Sequence, residues 1–487
     1  MGVVLNQTYK NTLIIFLGFF IGGINVLFLF THFLSDDYYG LVTFLLSTAN
    51  LLMPLLVLGM QNTIVKFFYS YEKEKDRDQF LLSTLVMPLF IILPIGFFGT
   101  VFYDKIADWI SQENAIIKDY TALIFVVAVS MGYFEVFYSW CRVHLKSVYG
   151  NFIREIFARL AVMILLFFVY FKWMDEKQFI YTVAIVYVVR MLIMMFYAFK
   201  VYKPESFKLI WPENFKEILS FSFYIILAGS AGTILLEIDK FMIPQMEQIA
   251  KVAYYSVGVY IASVIGIPAR AMQQIINPIT AKEIQNNNLA EVNNLYKKST
   301  STLLVFGGLL FLLINCNVED LYQIINKPQF SAGILVVLIV SMAEMIKLAL
   351  GTNGAILTNS SYYKSFFYFS ISMAVSVILL NKILIEMLGI NGAAISTLIV
   401  VAVFSVMRII YVQNKMKMQP FDKKIFILII VIGLVYFIFE RIDVFENPIL
   451  NIGVKSAFII LIYSVLILKL KLSDEFEKMF RNLLKRT

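Results

Sequence analysis

Uncharged apolar runs of about twenty residues recur from one end of this chain to the other, and nothing else in the sequence limits its folds so tightly. Such a run, rising 1.5 Å per residue as a helix, is long enough to cross the ~30 Å hydrocarbon layer of a bilayer. The sequence predicts spans at 11–31, 40–65, 80–103, 119–141, 156–172, 178–199, 218–239, 252–276, 299–315, 331–350, 364–385, 390–412, 424–440 and 449–470, fourteen in all. Composition points the same way. The 487 residues are 60% hydrophobic and 15% charged, whereas soluble domains run about 45–50% apolar and about 25% charged. Lipid is the solvent that accepts such an excess. The first run is too long for a signal-peptide core and has no convincing small-residue cleavage site, so it reads as the first helix.

The net charge of +8 is spread over short loops rather than over a nucleic-acid-binding face. Numbering loops by the spans they join, the even-to-odd loops are the basic ones, with Lys73, Lys75 and Arg77, then Lys146 and Arg154, Lys200 to Lys216, Lys282 to Lys298, and Lys415 to Lys424. The odd-to-even loops carry far fewer basic residues, among them Lys105, Lys177, Lys251, Lys327 and Arg441. The positive-inside rule therefore predicts cytoplasmic termini, and the unbroken alternation predicts an even number of spans. Cys141 and Cys316 imply no disulfide framework. His32 and His144 lie too far apart in sequence to suggest a metal site, and no cofactor is expected.

The predicted fold is an all-α polytopic membrane protein of about fourteen helices. A weak similarity between Asp37-Tyr38-Tyr39-Gly40-Leu41 and Ala253-Tyr254-Tyr255-Ser256-Val257, each following a helix rich in small residues, suggests duplication. It divides the chain into six-helix bundles at 1–200 and 201–417, two added helices at 418–470 and a cytoplasmic tail at 471–487. Bundles with an even number of helices are parallel repeats that can rock about a shared site. The tail spaces Phe476, Met479, Phe480, Leu483 and Leu484 among charges, the pattern of an amphipathic helix on the membrane surface.

No phosphate-binding loop, nucleophile elbow or His-Glu-x-x-His motif is present. Gly18-x-x-x-Gly22, and the pair Ala228 and Gly232, are small-residue ridges that let helices approach closely. Pro54, Pro88, Pro94, Pro244 and Pro268 mark sites where spans can bend. The sharpest signal is charge inside the spans, which costs at least about 2.5–3.5 kcal/mol at the centre of an isolated helix. Arg190 and Glu344 fall near mid-span, with Glu135 and Lys347 nearer the cytoplasm. Glu135, Ser139 and Arg142 share one helix face, and Glu344 and Lys347 are one turn apart. Asp239, Lys240 and Arg270 lie nearer helix ends. Structural ion pairs and snorkelling account for such charges equally well, most readily for Lys240, Arg270 and Arg142. A hydrated cavity for a phosphate or diphosphate is the functional reading, since guanidinium matches phosphate geometry.

Three segments resemble a known family. Leu58-Gly59-Met60-Gln61-Asn62-Thr63-Ile64-Val65-Lys66 is similar to the end of the second helix of polysaccharide-type flippases. Glu237-Ile238-Asp239-Lys240 followed by Val252-Ala253-Tyr254-Tyr255 resembles their helix 7–8 junction, and Gly389-Ile390-Asn391-Gly392-Ala393-Ala394-Ile395 their helix 12 opening. The resemblance points to the oligosaccharide flippases of the multidrug/oligosaccharidyl-lipid/polysaccharide exporter superfamily. It implies two helical bundles around a cationic cavity. It also implies transfer of undecaprenyl-diphosphate-linked O-antigen, capsule or related glycan across a bacterial inner membrane, without enzymatic chemistry. Lys66 stands where an Arg is common in the family. The dense Arg cluster that peptidoglycan-precursor flippases carry in helix 1 is absent.

The expected mechanism is alternating access, with Arg190 and Lys347 on the anionic group and the lipid tail left in the bilayer. Glu135 and Glu344 either couple H+ or Na+ or pair with their basic neighbours. The partners implied are the lipid-linked oligosaccharide, membrane lipids, glycan polymerase and glycosyltransferases, with no nucleic acid. Two rivals stand: a multidrug/cation antiporter of the same superfamily, which typically has twelve helices, and a membrane glycan polymerase or ligase, which normally carries a large outward loop.

Overall fold

In lipid every backbone N–H and C=O must be satisfied within its own segment, and runs of this composition do so as helices. The computed structural model describes residues 2–205, 211–473 and 475–478, with the side chains of these apart from 2–9, 227, 228, 271 and 274. No strand occurs among the described residues. Eleven of their helices are long and apolar enough to cross a membrane, and the protein is a multi-pass membrane protein. Lys208, the side chain of Ala228 and the tail residues Met479, Phe480, Leu483 and Leu484 lie outside what is described.

The chain forms two compact units, Met1–Ala253 and Tyr254–Thr487. The first contains α1 (Lys10–Phe33), α2 (Asp36–Leu56), α3 (Met60–Phe67), α4 (Glu74–Val101) and α5 (Ala115–Val143). It continues through α6 (147–170), α7 (Glu176–Val201) and α8 (Phe215–Met242). α8 lies along α2 within this unit. α5 is the centre of this unit, flanked by α2 and α7. Trp140, Phe134, Phe137, Ile64, Phe80 and Met194 make its main core.

α9 (Ala250–Ser263) carries the chain into the second unit, followed by α10 (Ile267–Gln285), α11 (Leu289–Asn315), α12 (Val318–Ile325) and α13 (Ile334–Ala349). Then come α14 (Asn353–Asn359), α15 (Tyr363–Met416), α16 (Lys423–Phe439) and α17 (Pro448–Lys469). α11 is the hub, and Leu303, Leu312, Leu428, Val431, Tyr463 and Ile467 join it to α16 and α17. Apolar side chains also cover the outside. Phe90, Leu93 and Phe97 on α4, and Phe426, Ile430 and Phe437 on α16, are each at least 60% exposed. Contiguous apolar exposure on this scale belongs against lipid.

Several expected spans are interrupted. The run 40–65 is not one helix. α2 ends at Leu56 shortly after Pro54, Leu58 and Gly59 take positive φ, and the chain restarts as α3. α4 breaks at Met87–Pro88, and Pro268 opens α10 after a short 3-10 turn. The run 156–172 belongs to a helix that starts earlier, at Ser147, and contains a π-turn at Ile153–Phe157. α15 covers two predicted spans, 364–385 and 390–412. Gly389 (φ 58°, ψ −137°) reverses the chain between them, a conformation open to glycine because it has no Cβ. The two arms then run side by side, Ser396 Oγ donating to the Val377 carbonyl at 3.3 Å.

Candidate functional site

Half-buried charges gather around one buried arginine in the first unit, where α5, α6 and α7 meet. On α5 the spacing of Glu135, Ser139 and Arg142 does put them on one face. The Ser139 hydroxyl lies within donating distance of the Glu135 carbonyl (2.9 Å) and the Gln61 carbonyl (2.8 Å). Arg142 Nη2 donates to Ser139 Oγ at 2.8 Å and to the Gln61 carbonyl at 3.2 Å. Gln61 sits two residues past the Gly59 break, so the interruption of 40–65 is tied to this face.

α6 adds three charges that the sequence reading left at the edge of a span. Its π-turn carries Arg154 and Glu155, and Arg159 follows. Arg154 Nε lies 3.1 Å from Glu155 Oε1, and its Nη1 lies 4.0 Å from Glu135 Oε1. Arg159 Nη1 is 2.9 Å from Glu155 Oε2 and donates to the Glu155 carbonyl at 2.7 Å. α1 closes over this group. Asn25, on a π-turn of its own, donates to the Arg159 carbonyl at 2.9 Å. A Cβ on Gly18 would stand 2.6 Å from Arg159 Nη1, so the Gly18 ridge is where α1 seats against the charges. π-turns inside α-helices frequently mark functional sites. Gly232, by contrast, has no atom of its unit within 4 Å of a Cβ position.

Arg190, on α7, completes the cluster and is its least compensated member. It is only 8% exposed. Its guanidinium carbon lies 4.0 Å from the Phe134 ring centre and 5.6 Å from that of Tyr187. Nε has no hydrogen-bond partner. No carboxylate lies within ion-pair distance among the described residues, although Glu135, Glu155 and Arg154 are electrostatic neighbours. The cluster holds four guanidiniums, of Arg142, Arg154, Arg159 and Arg190, against the carboxylates of Glu135 and Glu155. An uncompensated, desolvated guanidinium is costly, and the surplus fits an anion.

The other sequence candidates are scattered. Lys66 is exposed, with Nζ 3.8 Å from the Phe221 ring centre. Lys240 pairs with Glu237 at 2.7 Å, and Asp239 beside it is buried. In the second unit Lys347 pairs with Glu344 at 2.8 Å, and Gly266 leaves room for that carboxylate, a Cβ there standing 2.8 Å from Glu344 Oε2. Arg270 is exposed. No group of three or more His, Cys, Asp or Glu side chains among the described residues could hold a metal ion.

A helical fold of this kind, with eleven helices long and apolar enough to cross a membrane among the described residues, defines a polytopic α-helical membrane protein as the structural class. The family model described as "Polysaccharide biosynthesis protein" matches residues 8–280, more than half of the chain. The chain belongs to that polysaccharide biosynthesis protein family. No curated protein sequence matches it. Among solved structures it is similar to a lipid II flippase, MurJ, in an inward closed conformation. That likeness has a TM-score of 0.73 at 13% identity over 94% of this chain and 99% of that one. It is also similar to an inward-facing multidrug resistance MATE transporter of the MOP superfamily, with TM-score 0.60, 14% identity, and coverage of 84% and 94%. A third is the MATE multidrug transporter DinF-BH, with TM-score 0.58, 12% identity, and coverage of 85% and 95%. At these identities the likeness establishes the fold.

Proposed function

We propose that the protein is a flippase that carries an undecaprenyl-diphosphate-linked oligosaccharide from the inner to the outer leaflet of a bacterial inner membrane. In this reading α6, α16 and both arms of α15 span the membrane along with the other long helices, giving fourteen spans and cytoplasmic termini. The halves 1–200 and 201–417 rock about the substrate, as parallel repeats can. The observation that carries the reading is Arg190, buried without a carboxylate partner beside three further arginines. Family membership supports it, and so does a likeness to the lipid II flippase that extends over the C-terminal helices.

The diphosphate would enter between Arg190 and the Arg154–Glu155–Arg159 group, replacing water with guanidinium forks. The lipid tail stays in the bilayer, so only the headgroup needs a polar route. Glu135, 4.0 Å from Arg154, would compete with substrate for that arginine. Protonation or Na+ binding at Glu135 would free the arginine, which offers a means of coupling.

The test is transport of a fluorescent undecaprenyl-diphosphate oligosaccharide in proteoliposomes. Wild type should flip it. Arg190→Ala should lose at least about 10-fold, the effect of about 1.4 kcal/mol, at an unchanged melting temperature. Arg190→Lys should fall between, keeping the charge without the planar fork. Wild-type protein that flips none of several glycans but extrudes cationic dyes would replace this reading with the antiporter.

A further inference from the structure

A polar cavity lies wholly within the second unit, away from the Arg190 cluster. It has a volume of about 380 Å³, and no acidic side chain lines it. The middle of α10 contributes Gln273 and Asn277, α13 contributes Lys347, and α15 contributes Phe366 and Arg408. Thr358 and Asn359 of α14 stand at the exposed rim.

Arg408 is the residue that needs explaining. Its guanidinium lies 4.9 Å from the Phe366 ring centre, its Nε is buried with no hydrogen-bond partner, and no carboxylate pairs with it among the described residues. The backbone there is held in register, since Asn353 Nδ2 donates to the Arg408 carbonyl at 3.5 Å and to Tyr296 Oη at 2.9 Å. Lys347 is tethered by Glu344 at 2.8 Å, which leaves two of its three ammonium protons to give. Thr358 and Asn359 donate to carbonyls of their own helix. The donors left over are the Arg408 fork, the Lys347 ammonium and the amides of Gln273 and Asn277. Such a set matches the oxygens of a phosphoryl group, which a guanidinium fork can bind through two parallel hydrogen bonds.

We propose that this cavity is a phosphoryl-binding site, distinct from the Arg190 cluster, that takes a phosphate or diphosphate at the end of the second unit where α13 finishes and α15 begins. A role as a waiting station on the transport path rests on the flippase reading and its cytoplasmic placement of that end. The binding itself does not.

The experiment uses the full chain in phosphatidylcholine nanodiscs. Undecaprenyl diphosphate is added to the bilayer, or inorganic diphosphate to the buffer. Thermal shift reads both, and native mass spectrometry counts bound lipid. Binding of both probes, or of inorganic diphosphate alone, identifies a soluble-phosphoryl site; binding of the lipid alone identifies a headgroup site. In each case Arg408→Gln should weaken binding at least 10-fold. Asn359→Asp, at the exposed rim, should weaken it by placing a carboxylate at the mouth, and it decides the matter if the Arg408 variant does not fold. Wild type that binds neither probe, or variants that bind as wild type does, overturns the proposal. Loss of binding in the variants alongside a wild type that flips nothing leaves the site standing and removes the flippase. Wild type and variants that flip and bind equally leave the flippase and remove the site.

Discussion

Asn114 shows how much one polar side chain can hold in a bundle of this kind. It precedes α5 and is 9% exposed. Its Nδ2 donates to the carbonyls of Pro244 (2.7 Å) and Glu247 (2.8 Å), and its Oδ1 accepts from the Ile249 N–H at 2.8 Å. Those three groups belong to the connection between α8 and α9, a short 3-10 turn followed by irregular backbone, and would otherwise be unpaired. Gly40 on α2 closes the same turn, since a Cβ there would stand 2.0 Å from the Ile249 carbonyl oxygen. An unpaired buried backbone group costs about 1–3 kcal/mol. Asn114→Ala should therefore lower the thermal unfolding midpoint in detergent well beyond the effect of an alanine at an exposed site such as Lys105. Asn114→Asp keeps one acceptor and loses both donors, so it should not restore the midpoint. An Asn114→Ala protein that melts with wild type would mean that other contacts hold the turn. Gly40→Ala should have the same phenotype, and combining the two should cost less than the sum, because both act on one turn.

At the scale of elements, the two C-terminal helices are fixed to the second unit by polar contacts as well as by apolar packing. Lys455 on α17 is 2% exposed and lies 3.5 Å from Asp443. Asn451, one turn earlier, donates to Asp320 Oδ2 of α12 at 2.8 Å and to Asp443 Oδ1 at 3.2 Å. Burial lifts the Asp320 carboxyl above the ordinary carboxylate value, more than the Asn451 hydrogen bond and the nearby Lys455 lower it. An acid raised in the fold contributes most below its unfolded value and loses that contribution as pH rises through its folded one. Asp320→Asn should therefore gain stability relative to wild type between about pH 4 and about pH 7, as read from melting temperatures at the two ends. A constant difference across that range would mean that Asp320 does not titrate as its burial implies. Lys455→Met should destabilise at neutral pH by leaving Asp320 without its cation, and adding Asp320→Asn should recover part of the loss. Little of this was legible in the sequence. Hydropathy shows each span because the signal is local, about twenty residues long. Lys455 sits seven residues into the last run and resembles a snorkelling end residue, and its neighbour Asp320 is 135 positions upstream. The same limit hides the Arg154–Glu155–Arg159 group: three charges shorten the apolar run, so the predicted span 156–172 begins after two of them. Arg159 inside that run was the available signal. Arg190 and the shared face of Glu135, Ser139 and Arg142 were visible because mid-span charge and helical spacing are local properties too. The Val57–Gly59 break had a local signal in Pro54 and Gly59, which hydropathy averages away.

Over the whole molecule, the alternation of loop charge makes a claim that reaches beyond any one helix. Eleven helices satisfy length and apolarity. The proposed orientation also requires two that fall short: α6, which carries Arg154, Glu155 and Arg159, and α16, with 17 residues. If α6 did not cross, Lys177 would move to the cytoplasmic side and the basic loop Lys200 to Lys216 to the outside, against the positive-inside bias. If α16 did not cross, Glu446 would join Lys415 inside. Cysteine labelling can read each case, because the natural Cys141 and Cys316 are both buried and the background should be low. Single cysteines replacing Lys75, Lys298 or Lys415, all exposed, should react with an impermeant maleimide only after the membrane is opened. Cysteines replacing Lys105, Lys177 or Glu446, also exposed, should react in intact cells. Protection at Lys177 would remove α6 from the membrane and with it the cationic cluster as a site within the bilayer. Protection at Glu446 alone would remove α16, reduce the chain toward the twelve-helix layout and strengthen the antiporter. The full alternating pattern would place the Arg190 cluster between two aqueous faces, the position from which a headgroup could pass from one leaflet to the other.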